Sequence, residues 1–111
     1  MCCYRYKVEN IMTENIIVSV VIPIYNVSKW IDRGMEVILS QSLKDIEILL
    51  VDDGSTDDSA EKCRAWIEKD DRVRLISKEN GGAGSARNAG IDEAKGRYVY
   101  LCFKRFGHFC C

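Results

Sequence analysis

The sequence predicts an α/β protein: a Rossmann-like open sheet of mainly parallel strands with helices on both faces. Three observations carry that prediction. Four apolar segments of strand length recur along the chain, and stretches of helical period separate them. The first two segments are near-continuous apolar runs, the pattern of strands covered on both faces. Strands joined through helices run parallel, with right-handed crossovers.

Taken in order, the strands are expected at Val18–Ile24, Ile46–Val51, Val73–Ser77 and Tyr98–Phe103. Ser28 is placed to cap a first helix running to about Ser40, with Trp30, Ile31, Met35, Ile38 and Leu39 on its apolar face. Ser55 or Thr56 can cap a second helix, with Asp57 and Asp58 in its first turn, where they suit the dipole. Ala60, Cys63, Trp66 and Ile67 form the buried side of that helix, and "KDDR" ends it. Both tryptophans, Trp30 and Trp66, fall at core spacing and read as packing. A third helix is expected from Ala83 to Lys95, with Gly96 as its stop. Its inward residues Ala86, Ala89, Gly90 and Ala94 are small and predict a close approach to the sheet. No internal repeat interrupts the pattern.

Length and composition narrow the function classes. The chain has 111 residues, 47% of them hydrophobic and 30% charged, which suits one domain with a core. A net charge of −1 with scattered basic residues gives no reason to bind nucleic acid. No apolar run approaches the ~20 residues of a transmembrane helix. The N-terminus has no signal-peptide core, so a cytoplasmic location is the expectation. Five of the six cysteines sit at the two ends: Cys2, Cys3, Cys102, Cys110 and Cys111. No Cys-x-x-Cys occurs and His108 is the only histidine, so these read as reduced thiols rather than a zinc site.

Ligands of open α/β sheets sit beyond the carboxyl ends of the strands. The polar oddities of this chain map there: "PIYN" after the first strand, "DDGS" after the second, "KENGGAGSARNAG" after the third. Asp52 and Asp53 are acceptors suited to a ligand offering N–H or O–H donors, such as a uracil ring or ribose. Asp52 reads equally as a capping aspartate. Asp53 reads as the ligand residue, and Gly54 permits the turn that frees it. On that reading Asp53→Asn weakens binding of such a ligand and leaves the melting temperature nearly unchanged. The glycines before the third helix can expose N–H groups to a phosphate, with Arg87 one turn in. They can equally serve helix packing. No Gly-Lys-Ser/Thr follows them, and the dinucleotide spacing fails at Arg87. Pro23 tolerates only a strand's end. Tyr25 beyond it can stack on a base or shield the core. Lys78 and Glu79 read as solvated.

Together "VSVVIPIYN", "ILSQSLKDIEILLVDDGSTDDS" and "RVRLISKENGGAGSARNAGIDEAKGRYVYL" resemble the nucleotide-binding half of family 2 glycosyltransferases, with the GT-A fold. The resemblance spans Val18 to Leu101. It implies transfer of a sugar from a nucleotide-sugar, usually a UDP-sugar, to an acceptor hydroxyl with inversion. It implies a nucleotide site formed by Pro23, Tyr25, Asn26, Asp52, Asp53, Gly54 and Arg87. Pro23 and Tyr25 would flank the base, Asp53 would accept from the uracil N–H, and Arg87 would lie near ribose and diphosphate. It implies Mg²⁺ or Mn²⁺ as cofactor, a glycan or lipid-linked acceptor, and a membrane-peripheral setting open to the longer form.

The family's strand after "GRYVYL" ends in an Asp-x-Asp-type metal motif. Here it runs into "CFKRFGHFCC", without a carboxylate after Leu101. The second half, with acceptor site and general base, is also missing. The pattern predicts an incomplete GT-A domain, cut by a shifted frame or an early stop. Residues 1–15 are expected to be poorly ordered, 16–103 to form the nucleotide-sugar-binding portion and 104–111 an aberrant tail. The competing function is a non-catalytic nucleotide-binding or interaction module, which requires a stable particle with its sheet edge closed.

Overall fold

The computed structural model describes residues 3–7, 16–40 and 45–102, with backbone alone at 3–7, 83 and 102. Five strands and three helices follow in the order β1 (Cys3–Lys7), β2 (Val18–Ile24), α1 (Ser28–Leu39), β3 (Ile46–Asp52), α2 (Ser59–Lys69), β4 (Val73–Ser77), α3 (Ala83–Glu93), β5 (Tyr98–Cys102). The spatial order of the sheet is β1-β5-β2-β3-β4. β5, β2, β3 and β4 are parallel, and β1 pairs antiparallel with β5, Cys3 opposite Cys102 and Lys7 opposite Tyr98.

The alternation of strand side chains divides the core into two layers. Ile22 and Ile24 of β2, with Ile48 and Leu50 of β3, pack against Ile31 and Met35 of α1 and Cys63 and Trp66 of α2. Val21, Leu49, Val51, Val99 and Leu101 point the other way and meet Ala86, Ala89, Ile91 and Ala94 from α3 and its end. Gly90 makes the close approach possible: a Cβ there would lie 2.2 Å from Val21 Cγ1. Burial, with the nearby Asp52 charge, pushes the Cys63 thiol up to about 12, so it is an inert core thiol.

Several local expectations need correction. Ser28 is the first residue of α1 rather than its cap; Val27 holds the cap position without a side-chain bond. The orphan N–H groups there are satisfied from the next loop: Val27 N–H donates to Ser59 Oγ (3.0 Å) and Ser28 N–H to Asp57 Oδ2 (3.4 Å). Ser28 Oγ itself donates to Asp58. Trp30 is not core: it is 41% exposed, beside the Ile31–Met35 stripe rather than on it, with Lys29 Nζ 5.6 Å from its ring. α2 starts at Ser59, so Ser55 and Thr56 do not cap it and Asp57 and Asp58 precede it. Asp57 Oδ1 accepts from Ser59 N–H at 2.9 Å and closes the turn. α3 ends at Glu93, before Lys95, because Ala94 is already extended. Gly96 is buried, packed on β2 rather than stopping a helix. Within the segment expected to be poorly ordered, Cys3–Lys7 is a strand. β5 closes at Cys102; Phe103 and the tail from 104 lie outside the described residues.

At the amino ends of the strands lies a buried polar knot. Glu47, on a strand otherwise apolar up to Asp52, accepts from Ser19 Oγ and from Lys95 N–H at Oε2, both at 2.6 Å. Arg74 Nη1 donates to Glu47 Oε1 at 3.1 Å and to the Glu93 carbonyl at 3.3 Å. Gly96 N–H donates to Ser19 Oγ at 2.8 Å. The knot pins the turn between α3 and β5 onto β2 and β3. It sits at the pole opposite the loops expected to bind ligand.

Candidate functional site

The loops after β2, β3 and β4 meet at the carboxyl pole of the sheet. The chain winds outward from β2 to β3 and β4, then crosses back through α3 to β5 on the other side of β2. In open α/β sheets such a reversal opens a crevice at the strands' carboxyl ends.

Two loops are stapled by Asn26, which sits in the left-handed region at φ 52°. Its Oδ1 accepts from Thr56 N–H at 2.8 Å, Thr56 Oγ1 at 3.3 Å and Asp57 N–H at 3.3 Å. Its own N–H donates to Ser55 Oγ at 3.1 Å. Pro23 is buried opposite Val51, and Tyr25 is half-buried just beyond it.

Asp52 and Asp53 are both buried, 7% and 3% exposed, and they diverge in task. Asp52 Oδ1 accepts from Ser55 N–H at 3.0 Å and shapes its own turn. Asp53 reaches across to the third loop. Its Oδ1 accepts from Lys78 Nζ and from Gly81 N–H, and its Oδ2 from Gly82 N–H, each at 2.9 Å. Its carbonyl accepts from Asn80 Nδ2 at 3.0 Å. Gly54, at φ 78°, turns directly beneath that loop: a Cβ there would lie 3.0 Å from Asn80 N. Arg87 is half-buried on α3, its guanidinium 3.8 Å from where a Gly84 Cβ would sit.

The sequence therefore places its site residues at one pole, but two readings change. Lys78 is not solvated; its ammonium is bonded to Asp53 and, at 2.6 Å, to the Glu79 carbonyl. The N–H groups of Gly81 and Gly82 are not open to a phosphate, because Asp53 already fills that anion-binding position. Ser59, Lys78 and Asn80 were not legible as site-building residues. Each is recruited by a partner about thirty residues away, and neighbouring sequence carries no such signal.

Burial alone would raise the Asp53 pKa, but the hydrogen bonds from Lys78, Gly81 and Gly82 and the Lys78 charge outweigh it and hold the carboxyl below its ordinary value. A depressed folded-state pKa adds stability that is fully present above the unfolded value and is lost as pH falls through the folded one. The expectation that Asp53→Asn spares stability is accordingly reversed. An amide cannot accept at both oxygens from three donors, so the variant is expected to unfold about 1–3 kcal/mol more easily in urea at pH 7. The difference should shrink as pH falls below the ordinary carboxylate value and through the lower folded one, where the parent carboxyl itself protonates. An unchanged midpoint at pH 7 would contradict the geometry.

Among the described residues no group of three or more His, Cys, Asp or Glu side chains is placed to hold a metal ion. Asp52 and Asp53 are engaged with Ser55 and with Lys78, Gly81 and Gly82. These residues do not fit a Mg²⁺ or Mn²⁺ centre. No helix of the described residues is long and apolar enough to cross a membrane.

An open, mainly parallel sheet with its polar loops gathered at the carboxyl pole is a doubly wound α/β domain, the class whose ligands bind at that end of the strands. The family model for glycosyl transferase family 2 matches residues 19–102, and the chain belongs to that family. It is 52% identical over 86 residues to the glycosyltransferase GlyG of Streptococcus pneumoniae serotype 4, covering 77% of this chain and 29% of that protein. It is 39% identical over 96 residues to a chondroitin synthase of Escherichia coli, covering 86% of this chain and 14% of that protein. Among solved structures, the mannosyltransferase PcManGT from Pyrobaculum calidifontis, in complex with GDP-Man and Mn²⁺, superposes with a TM-score of 0.71 at 28% identity, over 78% of this chain and 27% of that one. S. aureus TarS residues 1–349 in complex with UDP superposes at 0.70 with 27% identity, over 76% of this chain and 26% of that one. The chain thus spans less than a third of the length of these proteins. The GT-A fold implied by the sequence is the fold of these neighbours.

Proposed function

We propose that this chain is the nucleotide-binding portion of an inverting glycosyltransferase and takes the nucleotide of a UDP-sugar at its carboxyl pole. The observation that carries the reading is the convergence of Pro23, Tyr25, Asn26, Asp52, Asp53, Gly54 and Arg87 on one rim. On this reading Pro23 and Tyr25 flank the base, Asp53 accepts from the uracil N–H, and Arg87 lies toward ribose and diphosphate. Asn26, Asp52 and Gly54 hold the loops in place. Support comes from the UDP complex of TarS, while the GDP-Man complex of the mannosyltransferase keeps a guanine donor in view.

In the longer form, a hydroxyl of a glycan or lipid-linked acceptor displaces the nucleotide with inversion at the sugar carbon. The general base and acceptor groups belong to the remainder of the protein. Mg²⁺ or Mn²⁺ would there neutralise the diphosphate, through ligands not found among the described residues. We place that chemistry in the cytoplasm, in cell-wall or polysaccharide synthesis, at the membrane periphery for the longer form. Titration calorimetry tests the binding step: UDP should give heat above buffer, and UMP and NAD less or none. Identical heats for UDP and buffer would sink the reading.

A second reading, a non-catalytic nucleotide-binding or interaction module, is favoured by one observation. β1 lies outside the family match, and it covers the edge of β5 that a lone four-stranded sheet would expose. Arg5→Pro with Tyr6→Pro must remove at least one ladder N–H, whichever residue faces β5. The pair should unprotect amides of β5 to hydrogen exchange and drive copies of the chain to associate further. Unchanged exchange and an unchanged association state would mean β1 closes nothing.

A further inference from the structure

We propose that Lys78, Gly81 and Gly82 are positioning residues for Asp53, fixing its carboxylate so that it can accept one further N–H donor from a nucleobase. The inference rests on the nucleotide reading above. It assigns the glycine stretch a purpose different from phosphate binding.

The argument is a count of acceptor positions. A carboxylate offers about four lone pairs, two on each oxygen. Asp53 Oδ1 takes two donors, Lys78 Nζ and Gly81 N–H. Oδ2 takes one, Gly82 N–H, so one position on Oδ2 remains. That matches the single ring N–H of a uracil. A residue 3% exposed turns its carboxylate freely only if nothing holds it, and here three donors from one loop do. Gly82, at φ 93°, carries the backbone conformation that presents its N–H, and it has open space where a side chain would stand.

The charged groups on the surrounding elements are Asp52 at the end of β3, Lys78 and Glu79 beyond β4, and Arg87 on α3. Of these Lys78 makes the direct ion pair, at 2.9 Å, with its side chain 20% exposed. Lys78 is thus the residue whose removal should act on Asp53 without touching the ligand. A base that lacks the ring N–H should lose whatever Asp53 supplies.

The test uses the full chain, Lys78→Met, Lys78→Arg as the conservative control, and two probes, UDP and N3-methyl-UDP. Carbon-13 NMR of the Asp53 carboxyl needs no ligand. Its titration midpoint should rise in Lys78→Met and return toward the parent value in Lys78→Arg. In the parent, UDP should bind about tenfold or more tightly than N3-methyl-UDP, the effect of one hydrogen bond to a charged acceptor. That ratio should fall in Lys78→Met. An unmoved Asp53 midpoint in folded Lys78→Met overturns the positioning role. Equal affinities for the two probes in the parent overturn the base acceptor. Absence of UDP binding in the parent overturns the nucleotide reading itself, while the midpoint still decides what Lys78 does to Asp53.

Discussion

Glu47→Gln should destabilise the chain by about 2–3 kcal/mol, because the substitution places an amide –NH₂ among donors. Four groups now converge on that carboxylate or on its serine partner: Ser19 Oγ, Lys95 N–H, Arg74 Nη1 and Gly96 N–H. A glutamine can satisfy Oε1 or Oε2 of the old arrangement, not both. Arg74 loses its closest carboxylate and keeps Glu93 at 3.9 Å. Arg74 is one-third exposed, so water softens its loss, and the estimate stays below the ~3–5 kcal/mol of a fully buried broken pair. Domains of this size are held by only about 5–15 kcal/mol, so a loss of this size should be plain in urea unfolding at neutral pH. A change under about 0.5 kcal/mol would show that the knot is ornamental. Arg74→Met in the Glu47→Gln background should add less than it does alone, since the two share one interaction.

Gly96→Ala should be more damaging still, by about 3 kcal/mol or beyond. A Cβ at this position would stand 2.7 Å from Ser19 N, 2.8 Å from Ser19 Oγ and 2.9 Å from the Val18 carbonyl carbon. Two of those atoms belong to the backbone of the central strand, which cannot step aside without breaking its pairing with β3 and β5. Gly90→Ala meets a side chain rather than backbone, Val21 Cγ1 at 2.2 Å, a stiff β-branched group that is cleared only if α3 shifts from the sheet. Thermal melts of the two variants should rank Gly96→Ala below Gly90→Ala. The reverse order would mean that the α3–β5 turn yields more readily than the packing of α3 on the sheet.

The strands were legible because their signal is local. Val18–Ile24 and Ile46–Val51 are near-continuous apolar runs, and such runs need only a covered sheet. The small face of α3 was legible for the same reason: Ala86 and Gly90 announce close packing wherever they fall on a helix. Helix starts were not. Val27 and Ser28 are satisfied by Ser59 and Asp57, about thirty residues downstream, and the nearest serine was the wrong cap. Trp30 is apolar and adjoins the buried Ile31, but it flanks the stripe that faces the sheet, and its apolar character alone does not say so. Lys78 followed polarity, which predicts water until a buried carboxylate competes for the ammonium. Glu47 did leave a trace, as a lone charge in "IEILLV", a strand whose neighbours are all apolar. A carboxylate in such a place demands partners, and the alternating Arg74 on the next strand is one of them.

Glu47 and its partners fasten the amino pole of the sheet, and the loops that read as a ligand site crown the other. Such a division lets the two ends answer to different selective pressures. The amino pole is a keel, intolerant of change and indifferent to substrate. Parts of the carboxyl rim can drift and try new donors without sinking the fold. Asn26, Asp52, Asp53 and Gly54 are the exceptions, since they hold the loops in shape as well as lining the rim. A library built on this scaffold would therefore vary Tyr25, Thr56 and Arg87 freely, and leave Asn26, Asp52, Asp53, Gly54, Glu47 and Gly96 as they are.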